Sequence, residues 1–153
     1  MENGRHARRF GPCRIEKVDL VAFATEFDPQ PVHLDEHAAR ATPLRGLAAS
    51  GWHTCALITR ALEEALSGEA GYLGMTGVDE LRWLRPVRPD DELSGEVKWG
   101  ASTQCLCQPA FHRRPACVEA RNKLGEIVLR WSCHMLFGRS AQKQKGVVHT
   151  RAP

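Results

Sequence analysis

The sequence predicts an α+β domain in which an antiparallel sheet wraps around one long central helix, and three observations carry that expectation. The apolar stretch from Gly46 to Leu66 follows helical periodicity. Beyond Gly77 the hydrophobic period shortens to two, the mark of strands with one buried face. The chain has 153 residues, 42% hydrophobic and 25% charged, which is enough for one ordinary core without a disulfide or metal staple.

The elements follow in order. In EKVDLVAFATEF, residues 16–27, Leu20, Phe23, Ala24 and Phe27 recur at helical spacing, so the segment predicts a short amphipathic helix. It ends at Asp28-Pro29, because a residue before proline is pushed out of the α region. The two prolines of DPQPVH, residues 28–33, argue against any regular element there. A second helix is expected over Leu34 to Ala41, with Asp35 and Glu36 in its first turn and Thr42-Pro43 as its stop.

From Gly46 to Leu66 the apolar positions spread nearly around the helical circumference, which predicts a helix buried on most sides, ended by Gly68 and Gly71. Strands are then expected over Val78 to Leu84, Leu93 to Trp99, Ala116 to Ala120 and a last run in which Leu129, Trp131, Cys133, Met135 and Phe137 share a face. Residues 121–126 read as the turn before that last strand. A sheet around one helix is the economical way to bury both, and this arrangement is the hotdog fold.

Charge and cysteine content narrow the function. Net charge is +3, but residues 1–14 and 138–153 together hold +7, leaving −4 on the body. Basic ends on an acidic body disfavour nucleic acid as a partner. Residues 1–12 are expected to be a disordered basic stub, 13–137 the folded domain and 138–153 a disordered basic tail. The hydrophobic stretch is broken by Arg60, Glu63 and Glu64, so it does not predict a membrane span, and the amino terminus lacks the pattern of a secretory signal. A cytoplasmic location is the default, with the six cysteines reduced. Cys105, Cys107, His112 and Cys117 are ligand-type residues without standard zinc spacing, so no metal is expected.

The feature that carries chemistry is Asp28-Pro29-Gln30-Pro31-Val32-His33, an acid and an imidazole five residues apart with two φ angles locked between them. A helix-to-helix connector with a capping aspartate would use the same residues. As a functional unit, carboxylate and imidazole together can bind a water, take its proton and return one to a neighbouring carbon. Ser50-Gly51-Trp52-His53 heads the long helix, where unpaired N–H groups and the positive end of the dipole would face an oxyanion. Gly51 would let a substrate approach the backbone, and Ser50 is a natural N-cap.

FATEFDPQPVHLDEHAARATPLRGLAASGWHTCAL, residues 23–57, resembles the signature of MaoC-like dehydratases, the (R)-specific enoyl-CoA hydratase type with a hotdog fold. The family's hydratase motif is Asp-x-Asn-Pro-x-His, and Asp28, Gln30, Pro31 and His33 occupy its places. Residues 77–97 and 121–136 are similar to the stretch after the family's helix and to its final hairpin.

The resemblance implies a hydro-lyase that adds water to a 2-enoyl-CoA thioester, or dehydrates a (3R)-hydroxyacyl-CoA. In it Asp28 and His33 would activate the water and the Gly51 N–H would hold the thioester oxygen. It implies no metal or redox cofactor, since the thioester itself acidifies the α-carbon. It also implies a homodimer or higher homo-oligomer, because a lone sheet leaves an open strand. A thioesterase, or a catalytically silent acyl-CoA-binding protein, are the alternatives on the same fold.

Three departures from the pattern stand out. Gln30 replaces the commoner asparagine, one methylene longer with the same donors and acceptor. The segment before Arg14 is short. Residues 101–117, ASTQCLCQPAFHRRPAC, lack the alternation of a central strand, which points to a divergent loop or a local reading-frame slip. Among the other residues, His37 and His134 read as solvated, and His53 reads either as pocket-lining or as structural. Trp83 and Trp131 read as core packing, while Arg82, Arg85 and Arg88 form an exposed cluster that could attract the phosphates of coenzyme A.

Overall fold

The computed structural model describes residues 6–105 and 110–138. Along the chain lie β1 (His6–Arg14), α1 (Lys17–Phe27), α2 (Pro31–Leu34), α3 (Glu36–Arg40), α4 (Gly51–Leu66), β2 (Tyr72–Trp83), β3 (Glu92–Trp99), β4 (Thr103–Gln104), β5 (Phe111–Arg121) and β6 (Ile127–Gly138). The strands form one antiparallel sheet in the order β1-β3-β5-β6-β2, with β4 paired to β5.

The sheet owes its buried face to period-two alternation. Leu129, Trp131, Cys133, Met135 and Phe137 of β6 point inward, as do Leu93, Val97 and Trp99 of β3 and Ala116, Val118 and Ala120 of β5. The long helix α4 lays Leu57, Ile58, Ala61, Leu62 and Leu66 into the same core. Each large aliphatic side chain buried there contributes about 1.5–3 kcal/mol. One sheet and one long helix sharing a core make the hotdog fold that the sequence predicts. Among the described residues no helix is long and apolar enough to cross a membrane.

The differences from the sequence expectation have local causes. Residues 6–12 are not part of a disordered stub: they belong to β1, whose pairing with β3 runs from His6↔Trp99 to Arg14↔Glu92. Residues 1–5 and 139–153 lie outside the described residues, so the expectation for the basic tail falls there too. The six-residue proline stretch is not wholly irregular, since Pro31 opens the one-turn helix α2, where a missing N–H costs nothing. Asp35 then starts α3 by accepting a hydrogen bond from the Ala38 N–H, so the expected second helix begins at Glu36 and Leu34 instead closes α2.

The long helix begins at Gly51 rather than Gly46, because Gly46 sits at φ 154° and Ser50 has extended backbone as the N-cap. It is buried on one face only, with Trp52, Ala56, Arg60, Glu63 and Glu64 turned outward.

The strand expected from Ala116 begins five residues earlier: residues 111–115, which lack the alternation of a central strand, are the first part of β5, paired with β6 from Phe111↔Gly138 onward. Pro115 fits because its carbonyl accepts from the Gly100 N–H just past the end of β3, so its missing N–H faces the side where that partner strand has stopped. Cys107 lies outside the described residues, and among those residues no three His, Cys, Asp or Glu side chains gather as a metal group.

Candidate active site

Three chain segments meet at the amino end of α4. The first is the α1–α2 connection carrying Asp28 and Gln30, the second is α2 carrying His33, and the third is the extended run 46–50 that enters α4. That run is pinned from both sides, by the Ala49 N–H on the Val87 carbonyl at 2.8 Å and the Ala48 N–H on the Val32 carbonyl at 3.3 Å. The Arg88 guanidinium adds hydrogen bonds to the Leu44, Gly46 and Leu47 carbonyls. Arg88 is thus a half-buried brace for this segment and not part of an exposed cluster. Arg82 pairs with Glu80, and Arg85 pairs with Glu126.

Asp28 stands at the carboxyl end of α1 with its N–H on the Ala24 carbonyl, so the backbone that places it is an ordinary helix end. Its side chain is more specialised. Oδ2 accepts from the Ser50 hydroxyl at 2.7 Å and Oδ1 accepts from the Gln30 side-chain amide at 2.7 Å. These two bonds, that from Ser50 first, hold the carboxyl below the usual aspartate range and keep it ionised. Ser50 is fully buried and, besides donating to Asp28, accepts from the Trp52 N–H at 3.2 Å as the expected N-cap of α4.

His33 is 8% exposed. Its Nδ1 lies 2.8 Å from the Ala48 carbonyl oxygen. A carbonyl can only accept, so Nδ1 carries a proton, and in the neutral form of the ring Nε2 is then the lone-pair acceptor. That nitrogen is 3.5 Å from Asp28 Oδ2. Two acceptors at this separation do not satisfy each other, but the two O–H bonds of a single water satisfy both.

The pair opens into a cavity of about 420 Å³ whose wall includes Gln30, Gly51, Trp83, Arg85 and Val87. Gly51 is the first residue of α4, so its N–H has no acceptor within the helix. The structure therefore brings together all five residues the sequence singled out: Asp28, Gln30, His33, Ser50 and Gly51.

Other readings change. The space a Gly51 Cβ would need is taken by the Trp83 ring, whose Cε2 would lie 2.5 Å away, so the glycine admits an indole rather than opening its α-carbon to a substrate. Trp83 is 46% exposed, donates its Nε1–H to the Gly51 carbonyl at 3.0 Å and meets Trp52 edge to face at 5.2 Å. It is a site residue and not core packing, whereas Trp131 is core. His53 is structural: it stacks on Phe23 with ring centroids 4.7 Å apart and does not line the cavity. His37 is exposed, and His134 pairs with Asp79 at 3.1 Å.

Sequence reasoning missed Ala48, which acts through its carbonyl and leaves no side-chain signal. It also missed the role of Trp83, whose signal was an aromatic residue at a strand end immediately before Leu-Arg-Pro.

The comparisons with known proteins bear on the family and the fold. The chain is 38% identical over 81 residues to the Bacillus subtilis (strain 168) protein YdeM, itself uncharacterized, and the match covers 52% of this chain and 57% of that one. The chain thus spans little more than half of that curated relative.

A solved MaoC-like dehydratase from Rhodospirillum rubrum is 38% identical with a TM-score of 0.82, covering 90% of this chain and 94% of its own. The R-hydratase PhaJ1 from Pseudomonas aeruginosa is 26% identical with a TM-score of 0.63, covering 89% and 81%. A monoamine oxidase regulatory protein from Archaeoglobus, at 18% identity and a TM-score of 0.79 over 89% and 90%, shares the fold. The MaoC like domain family matches residues 2–111, well over half the chain and the whole of the acid–imidazole segment and α4, so the chain belongs to that family.

Proposed function

We propose that this protein is a hydro-lyase of the hydratase or dehydratase kind, adding water to a 2-enoyl thioester such as an enoyl-CoA or, in reverse, dehydrating a (3R)-3-hydroxyacyl thioester. The observation that carries the reading is the pair of facing acceptors, Asp28 Oδ2 and His33 Nε2, 3.5 Å apart on the wall of a cavity that also reaches Gly51. The named solved relatives, a dehydratase and an R-hydratase, support the same class.

The roles follow from the electrostatics. Asp28 already accepts two hydrogen bonds and is held ionised, which makes it a weak base and a good anchor. His33, whose Nδ1 is committed to the Ala48 carbonyl, acts through Nε2 as the base. A water bound by both is oriented with one O–H on each. Its oxygen forms the new bond to C3 while its proton passes to Nε2. The π electrons of C2=C3 move toward the carbonyl and leave enolate charge on the thioester oxygen. The Gly51 N–H, at the positive end of α4, stabilises that charge. The imidazolium, steadied by Asp28, then returns its proton to C2, which restores neutral His33 and the thioester. Dehydration runs through the same steps backward.

The open side of β2 ends the sheet, and Leu73 and Val78 on that strand are exposed apolar residues. We therefore expect two copies to associate through it. Sedimentation equilibrium checks this, with a monomer mass counting against it.

The functional test is the loss of enoyl absorbance of crotonyl-CoA. Wild type is expected to turn it over, and Asp28→Asn and His33→Ala to fall by about 10²–10⁴-fold while keeping wild-type circular dichroism. Variants with unchanged turnover overturn the site, and release of free thiol in place of hydration would make the protein a thioesterase.

A further inference from the structure

The carboxylate of Asp28 is the far end of a longer chain of hydrogen bonds. The Trp83 Nε1–H donates to the Gly51 carbonyl at 3.0 Å. The N–H of that same peptide, belonging to Trp52, donates to Ser50 Oγ at 3.2 Å. The Ser50 hydroxyl in turn donates to Asp28 Oδ2 at 2.7 Å. Every donor points the same way, from the indole toward the carboxylate. Hydrogen bonds so aligned polarise one another, because a peptide whose carbonyl is loaded becomes a better donor at its N–H.

The chain is also held mechanically. The indole face lies against the α-carbon of Gly51 so closely that a Cβ there would sit 2.5 Å from Cε2 and 2.6 Å from Nε1. Trp83 is braced in turn by Trp52, edge to face. A surface tryptophan at the end of a strand could face solvent at no cost to the core, yet this one spends its only polar atom on the first peptide of α4.

We propose that Trp83 is a positioning residue for the acid–imidazole pair, acting through the Gly51–Trp52 peptide and Ser50 to orient and hold the Asp28 carboxylate. The inference rests on the hydratase reading for its catalytic consequence, but its structural half, the state of Asp28, does not. Among the described residues the charged or titratable side chain that faces Asp28 is His33 of α2, while Arg85 lines the same cavity and is paired to Glu126. A change in Asp28 on altering the neutral Trp83 therefore travels through the hydrogen-bond chain.

The test uses two variants of the full chain, Trp83→Phe and replacement of Trp83 by its benzothienyl isostere, which keeps the bicyclic shape and removes only the N–H. Both are compared with wild type in crotonyl-CoA kinetics and in carbon-13 NMR titration of the Asp28 carboxyl without substrate. The expected result for the isostere is a fall in kcat of roughly three- to tenfold with KM within about twofold, the loss of one neutral hydrogen bond's worth of stabilisation. The Asp28 titration should move upward, because a carboxylate that receives a weaker hydrogen bond is protonated more readily.

A packing role alone predicts a lowered melting temperature in Trp83→Phe with an isostere that matches wild type in kcat and in the Asp28 titration. That outcome overturns the proposal. Failure of the hydratase reading looks different, since Asp28→Asn would then leave the protein's activity unchanged while the NMR titration still reports on the chain.

Discussion

Replacing Ser50 with alanine removes one oxygen that does two jobs, and the two losses separate by pH. Ser50 is fully buried, so water cannot replace its hydroxyl where the side chain stood. The first loss is the N-cap bond from the Trp52 N–H, about 1 kcal/mol for a serine cap. The second is the 2.7 Å bond to ionised Asp28, about 1.5–3 kcal/mol for a hydrogen bond to a charged group. Asp28 borders the cavity with its side chain 18% exposed, so water can partly solvate the abandoned oxygen and the second figure belongs at the lower end of its range. The total is about 2.5–3 kcal/mol at pH 7, a fall in Tm of roughly 5–12 °C for a domain of this size.

The acid side supplies the discriminating control. The Asp28 carboxyl is depressed in the fold, so the stability it contributes is present above the unfolded aspartate value near ~4 and is lost as the pH falls through the folded one. Ser50→Ala abolishes most of that contribution. The gap between wild type and variant should therefore be full at neutral pH and shrink toward the cap contribution alone on acidification. Urea unfolding of both proteins between pH 7 and pH 3 reads it directly. Equal stabilities at pH 7, or a gap that does not narrow in acid, would refute the charge-assisted role given to Ser50.

Two further substitutions probe neighbouring parts of the site. Gly51→Ala drives a methyl group into the Trp83 ring and should cost about 1–3 kcal/mol by overpacking, with part of the loss recovered in Gly51→Ala/Trp83→Ala, as thermal melts would show. Burial pushes the His53 imidazole below its usual value, so the fold favours its neutral form, and stability should decline as the pH falls below about 6.5. His53→Phe, which can keep the stack on Phe23, should flatten that decline between pH 7.5 and 5, and an unchanged slope would remove His53 as its source.

What the sequence revealed depended on which residues carry period or spacing. β6 and β3 were readable because every second side chain is apolar and buried, and α4 because its inward positions recur one turn apart. The Asp28–His33 pair was readable because two prolines fix a short path between groups with matching chemistry. β1 was hidden because its basic residues dominate the composition and, among its residues with described side chains, Phe10 is the buried one, so pairing to β3 and not a hydrophobic stripe makes it a strand. Likewise β5 conceals its first half behind His112, Arg113, Arg114 and Pro115, which break the apolar alternation although the strand stays in register with β6. Ala48 and Arg88 escaped for a common reason: one acts by its carbonyl and the other by binding carbonyls, and neither leaves a trace in residue-type spacing.

The claim at the centre is that one acid and one base work on the same molecule of water. The most direct measurement is a double-mutant cycle in enoyl-thioester hydration, comparing kcat for wild type, Asp28→Asn, His33→Ala and the double variant. Groups that act as a unit lose together, so the double variant should be no slower than the worse of the singles. Losses that multiply across the cycle, or a single variant that hydrates as fast as wild type, would contradict the account.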